Sequence, residues 1–228
     1  MDYLKKIYAL VEKDIISELR TKELFTSMLI FVLLTLVIFN FAFGQDAGTD
    51  MTELASGILW VAFLFSAILG LNRSFVHEKD EGCLDGLMLA PVERSAIYFA
   101  KVTGNLIFIC IVELVAIPIF IIFFIQDASK ISFLFLAIII LLSNFGIAAI
   151  GTLLSAISIN TRARDLMMPI LFFPVIVPVL VAAVKSTTIA IIRSQPLADT
   201  YGWLNLLLVY DLIFLLISYA TFEYILEE

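Results

Sequence analysis

Side chains able to do chemistry are few in this chain, and they are scattered. There is one histidine, His77, and there are two cysteines, Cys83 and Cys110. Two carboxylates, Glu113 and Asp211, interrupt long apolar runs. A catalytic centre needs a nucleophile beside a base, or several ligands converging on one metal. The sequence holds no Gly-x-Ser-x-Gly elbow, no His-Glu-x-x-His pair and no Cys-x-x-Cys pair. It also lacks the Gly-x-x-x-x-Gly-Lys-Ser/Thr loop that cradles nucleotide phosphates. A non-catalytic chain is expected, with any ATP hydrolysis carried out by a partner. His77 reads most simply as a solvated loop residue. Cys83 and Cys110 fall in a polar loop and an apolar run, so no disulfide is expected between them.

The residues that look built for contact lie between Arg73 and Pro91, the longest polar stretch inside the chain. Leu84, Leu87 and Met88 follow i, i+3, i+4 spacing and share one helical face. Asp80, Glu81 and Asp85 lie toward its start, where carboxylates suit the helix dipole. Gly82 and Gly86 permit bends or close approach of another backbone, and Pro91 ends the element. A short helix with a narrow apolar face and acidic flanks suits a groove in a soluble partner. It equally suits an interfacial turn that joins two spans, and the residues alone leave both readings open.

The elements carrying these residues are apolar. Of 228 residues, 62% are hydrophobic and 15% charged, against about half and a quarter in soluble domains. A helix needs about 20 apolar residues to cross a bilayer. Six candidate spans result: Phe25–Phe43, Glu53–Leu71, Ile97–Ile125, Ser132–Ile157, Leu166–Val184 and Trp203–Leu226. Backbone polar groups must be satisfied internally in lipid, so the spans are helices. The fold class expected is an all-α polytopic membrane protein, a single transmembrane domain over residues 1–228.

Lys and Arg cluster before the first span and in the connections after the second and fourth, which favours both termini in the cytoplasm. The N-terminal stretch carries no small-residue cleavage site and reads as retained. There Leu4, Ile7, Tyr8, Val11, Ile15 and Leu19 form an apolar stripe, interrupted by Glu18. This predicts an interfacial helix over residues 1–22 that anchors the chain or also touches a partner. The net charge of −7 is spread over loops and both ends, and no basic face suits nucleic acid.

Within the spans, Glu113 and Asp211 should face protein or water, because a carboxylate at the bilayer centre costs at least about 2.5 kcal/mol. Each either lines a path or couples to a proton, or is a neutral hydrogen-bonded packing residue. Pro118 in the third span and Pro169, Pro174 and Pro178 in the fifth are expected to kink their helices. The Lys185–Gly202 connection is expected to be an outer loop whose Ile189–Ile192 stretch rests on the membrane surface.

The stretch from Gly57 and Trp60 through Arg73, Phe75, Glu78, Gly82, Leu84, Leu87, Leu89 and Pro91 to Lys101 resembles the CcmB family. These are the membrane subunits B of the bacterial haem exporter of cytochrome c maturation. Chain length, six spans, the Val112-Glu113-Leu114 segment and the acidic tail from Phe222 are similar as well. The resemblance implies a type-2 ABC exporter permease in the bacterial inner membrane, working with a separate ATPase subunit and a second permease copy. It also implies a haem-handling membrane protein and a periplasmic haem chaperone as neighbours. Residues 73–96 would be a cytoplasmic coupling segment, with Glu78, Gly82, Leu84, Asp85, Leu87, Met88 and Pro91 contacting the ATPase. A short helical hairpin would lie in the Lys185–Gly202 connection. No cofactor is expected on this chain itself, and any haem in the complex would be held by a neighbouring subunit. The rival readings are a permease exporting a lipid, drug or ion, and a non-transporting scaffold for cytochrome assembly.

Overall fold

The computed structural model describes residues 3–43, 51–80, 82, 86, 89, 92–125, 127–159, 161, 163–192 and 199–225. Seven long helices fill these residues: α1 (Tyr3–Thr21), α2 (Glu23–Phe43), α3 (Met51–Asp80), α4 (Arg94–Phe124), α5 (Phe133–Ser158), α6 (Arg164–Ile192) and α7 (Thr200–Ile225). A single 3-10 turn, Ala128–Lys130, lies between α4 and α5. Six of the helices, α2 to α7, are long and apolar enough to cross a membrane. The chain is an all-α, multi-pass membrane protein.

Helix α1 ends where Lys22 adopts a left-handed backbone at φ 57° and its amide bonds to the Glu18 carbonyl at 2.7 Å. The Glu18 side chain accepts from the Phe25 amide at 2.9 Å, in the first turn of α2. The first amides of a helix have no intrahelical acceptor, so Glu18 serves as a cap. That is why a carboxylate interrupts the apolar stripe of α1. The stripe itself divides: Val11 is buried, Ile7 and Ile15 are half-buried, and Leu4, Tyr8 and Leu19 remain exposed.

Spans α3 and α5 are the most enclosed of the six. Small residues on α5 let its neighbours come close, the usual means of packing helices where lipid supplies no hydrophobic drive. A Cβ at Gly151 would strike Leu71 of α3, and one at Gly146 would stand 2.5 Å from Asp211 Oδ1 of α7. Polar side chains bind the spans together. Trp60 Nε1 donates to Thr187 Oγ1 at 2.9 Å, Ser155 Oγ to the Leu71 carbonyl at 2.8 Å, and Asn105 Nδ2 to Thr152 Oγ1 at 2.9 Å. Leu34, Ile38, Leu114, Ile122, Ile170, Leu212 and Leu216 project outward, a surface fit for lipid rather than water.

The contacts fix an alternating topology. At one end, Arg73 meets Glu23, and the Phe75 and Tyr98 rings both pack on Phe222. At the other end, Asn40 Nδ2 donates to the Phe123 carbonyl at 3.0 Å, and the Ser132 amide donates to the Ala190 carbonyl at 3.0 Å. The helical hydrogen bonds of α4 and α6 run on past Pro118 and past Pro169, Pro174 and Pro178, so each is a single element.

Two expectations need correction. Residues 73–80, expected as part of a loop, continue α3 for two more turns. The stretch 185–192, expected as an outer loop with a helical hairpin, is the end of α6. Ser186 and Thr187 are fully buried there. Lys185 stands exposed on an otherwise buried turn, so one charge made a helix end look like a loop. The rest of that connection, residues 193–198, lies outside the described residues.

Candidate coupling site at the N-terminal end of the bundle

The polar segment is suspended between two stems, the last turns of α3 and the first turns of α4. Glu78 lies on the α3 stem, and its side chain is outside the described residues. Gly82 follows directly with φ +67°, and its amide bonds to the Lys79 carbonyl at 3.1 Å. A glycine in this conformation is a standard helix stop, because any other side chain is strained there. Asp80 therefore belongs to the C-terminal end of α3, not to the start of the next element. Leu84, Asp85, Leu87, Met88 and Pro91 lie outside the described residues. Gly86 and Leu89 are helical positions and exposed, Leu89 to 87%.

Both stems are tied down. On the α3 stem, Arg73 Nη1 lies 2.8 Å from Glu23 Oε2 at the start of α2. Lys79 Nζ donates to the Ile159 carbonyl at 2.8 Å, reaching the connection between α5 and α6. A cation near the end of α3 also complements the helix dipole. On the α4 stem, Tyr3 donates to Ser95 Oγ at 3.2 Å. Nearly two turns deeper, Lys101 Nζ meets Asp14 Oδ2 of α1 at 2.9 Å. The same ammonium reaches the Ser74 carbonyl at 3.4 Å and lies 5.5 Å above the Phe75 ring. Lys101 is only 6% exposed, so it is held by an anion, a carbonyl and an aromatic face at once. It joins α1, α3 and α4 at one point.

Beneath these ties lies a separate apolar cluster, which includes Phe75, Ile97, Tyr98, Leu153, Ile159 and Phe222. Tyr98 donates to the Ala149 carbonyl at 3.0 Å. Contributions from α3, α4, α5 and α7 thus meet directly under the segment. Both stems therefore pack on a cluster shared by four spans.

The sequence does not mark Arg73, Lys79, Asp14 and Lys101 as positioning residues; the contacts above give them that role. For the last two a signal did exist. Asp14 lies on the same face of α1 as Val11 and Ile7, and Lys101 lies inside a span. Two lone opposite charges in apolar surroundings call for each other.

The intramembrane acids stand apart from this site. Glu113 is paired with Asn144 of α5. Asp211 is 5% exposed and packs against Gly146. The ties of the two stems use other carboxylates, Glu23 and Asp14.

The sequence is similar to those of known proteins. The family model described as CcmB protein matches residues 5–225. Heme exporter protein B of Rhodobacter capsulatus is 28% identical over 173 residues, covering 76% of this chain and 78% of that protein. Heme exporter protein B of Pseudomonas aeruginosa is 25% identical over 153 residues, 67% of each chain. The protein of that name from Escherichia coli is 35% identical over 75 residues, 33% of this chain and 34% of its own. The family match runs from α1 to the last turn of α7, through every helix that holds the two stems, and the chain belongs to the CcmB protein family.

Proposed function

We propose that this chain is the membrane permease of an ABC-type haem exporter that serves cytochrome c maturation. It would reside in a bacterial inner membrane with both termini cytoplasmic, beside a second permease copy. The observation that carries this reading is the family match over residues 5–225, joined to a polar segment whose two stems are tied to α1, α2 and the α5–α6 connection. The sequence has no phosphate-binding loop, so ATP hydrolysis falls to a separate subunit. That subunit's motion enters through residues 81–93. Rigid stems pass it to α3 and α4, and the Lys101–Asp14 and Lys79–Ile159 ties carry α1 and the α5–α6 connection along.

Haem is the cargo in this reading. Its iron is usually held by His, Met, Cys or Tyr, and the one histidine here, His77, lies on the α3 stem. In this reading ligation is assigned to a haem-handling neighbour or to the periplasmic chaperone, while this chain supplies apolar surface and movement.

Leu87 is the sharpest test. Charging a buried anchor commonly costs upward of about 2 kcal/mol of binding. Leu87→Asp is expected to abolish co-purification of the ATPase while the permease stays inserted. Complex recovered at wild-type yield would exclude Leu87 from the contact. A wild-type complex with no ATPase in it would exclude the transporter reading and favour a scaffold.

A further inference from the structure

Glu113 on α4 and Asn144 on α5 face each other near the middle of their helices, at 2% and 0% exposure. Asn144 Nδ2 donates to Glu113 Oε2 at 2.5 Å and lies 3.6 Å from Cys110 Sγ. These contacts engage the amide's donors. They leave two buried acceptors, Glu113 Oε1 and Asn144 Oδ1, with no hydrogen-bond partner among the described residues. Two acceptors cannot satisfy one another, and each buried orphan is costly.

One hydrogen removes both deficits. With a proton on Oε1, the carboxyl O–H donates to Asn144 Oδ1 while the amide N–H donates to Glu113 Oε2. The result is the closed two-bond ring that carboxylic acids form with amides. The ionised alternative would bury a net charge and two orphan acceptors in the middle of a span.

We propose that Glu113 and Asn144 hold one resident proton between them, and that this acid–amide pair fastens α4 to α5. The proton is part of the packing and is not passed on. Since α4 carries one stem of the polar segment, α5 moves with it.

Glu113→Gln tests this directly, because glutamine offers a donor and an acceptor in the same places and cannot ionise. The intact complex with E113Q is expected to assemble at wild-type yield and to support cytochrome c formation in cells at the wild-type level. With Asp211→Asn removing the other buried span carboxyl, the infrared spectrum of the complex should contain the carbonyl band of a neutral carboxylic acid, and adding E113Q should remove it. Asn144→Leu removes the partner and should lower the yield of assembled complex about tenfold, the usual effect of one buried group left unpaired. An E113Q complex that assembles but forms no cytochrome c would overturn the proposal, since the glutamate would then have to ionise. Should E113Q fail to assemble, the band is read in Asp211→Asn, where the other buried span carboxyl is gone. Its persistence there supports the resident proton, and its absence overturns it. Because the band does not depend on transport, it separates failure of this proposal from failure of the haem-export reading.

Discussion

Lys101 shows how one side chain sets the geometry of a whole end of the bundle. Its ammonium is removed from water, so it must be neutralised and hydrogen-bonded, and Asp14 with the Ser74 carbonyl does both. Removing one partner of a buried ion pair leaves the other uncompensated and typically costs about 3 kcal/mol or more. Asp14→Asn leaves the buried Lys101 ammonium unpaired and is therefore expected to lower the thermal stability of the purified protein by roughly that amount, and Lys101→Met by less, since Asp14 is partly exposed and keeps Lys13 at 3.3 Å. The double variant K101M/D14N should be more stable than D14N alone, and equal or greater loss in the double would show that the pair is not coupled. Gly146 makes a second, steric case. A methyl at Gly146 would meet Asp211 Oδ1, and overpacking of this kind costs about 1–3 kcal/mol. Gly146→Ala should destabilise, and adding Asp211→Ala should recover part of the loss, as read by thermal unfolding in detergent. Full additivity of the two changes would refute the contact.

At the scale of the element, the ends of helices carry the information. The stop between α1 and α2 is a lysine in a left-handed conformation, relieved by the Glu18 cap. A side chain with a Cβ costs about 1 kcal/mol in that conformation relative to glycine. Lys22→Gly should therefore raise stability by about that much, and Glu18→Ala should lower it by about 1 kcal/mol through loss of the cap. Equal melting temperatures for wild type and both variants would place this boundary wrongly. The other instructive ends are those of α3 and α6. Each runs two turns or more beyond the apolar pattern, because tertiary partners satisfy what the sequence makes look solvent-facing. Lys79 and Arg73 find a carbonyl and a carboxylate across the bundle, and Thr187 finds the indole of Trp60. A polar residue near a span's end is ambiguous until its partner is known.

For the molecule as a whole, six alternating spans put the polar segment, α1, the α5–α6 connection and the end of α7 on one side. Lys and Arg concentrate on that side, which by the charge rule is expected to face the cytoplasm. An impermeant thiol reagent is therefore expected to label Cys83 in inverted vesicles and to leave it unlabelled in intact cells. A cysteine placed by Gly48→Cys should show the opposite pattern. Labelling of Cys83 from outside would reverse the orientation and with it the assignment of an ATPase partner to residues 81–93.

The sequence by itself determined the class of molecule: long apolar blocks permit little but membrane helices, and their number follows from length and hydropathy. It also marked the polar segment as different, and its spacing was enough to see the likeness to CcmB. What it left open were the partners of single polar residues. Glu18, Asp14, Lys79, Lys101 and Asn144 read in sequence as loop charges, interruptions or plain polar residues. Each makes its defining contact with a residue from 7 to 87 positions away, and only the packing of the helices brings those atoms within reach. Hydropathy is a sum over many residues and survives without a fold. A hydrogen bond between two side chains depends on ångström-scale placement, which the tertiary structure alone decides.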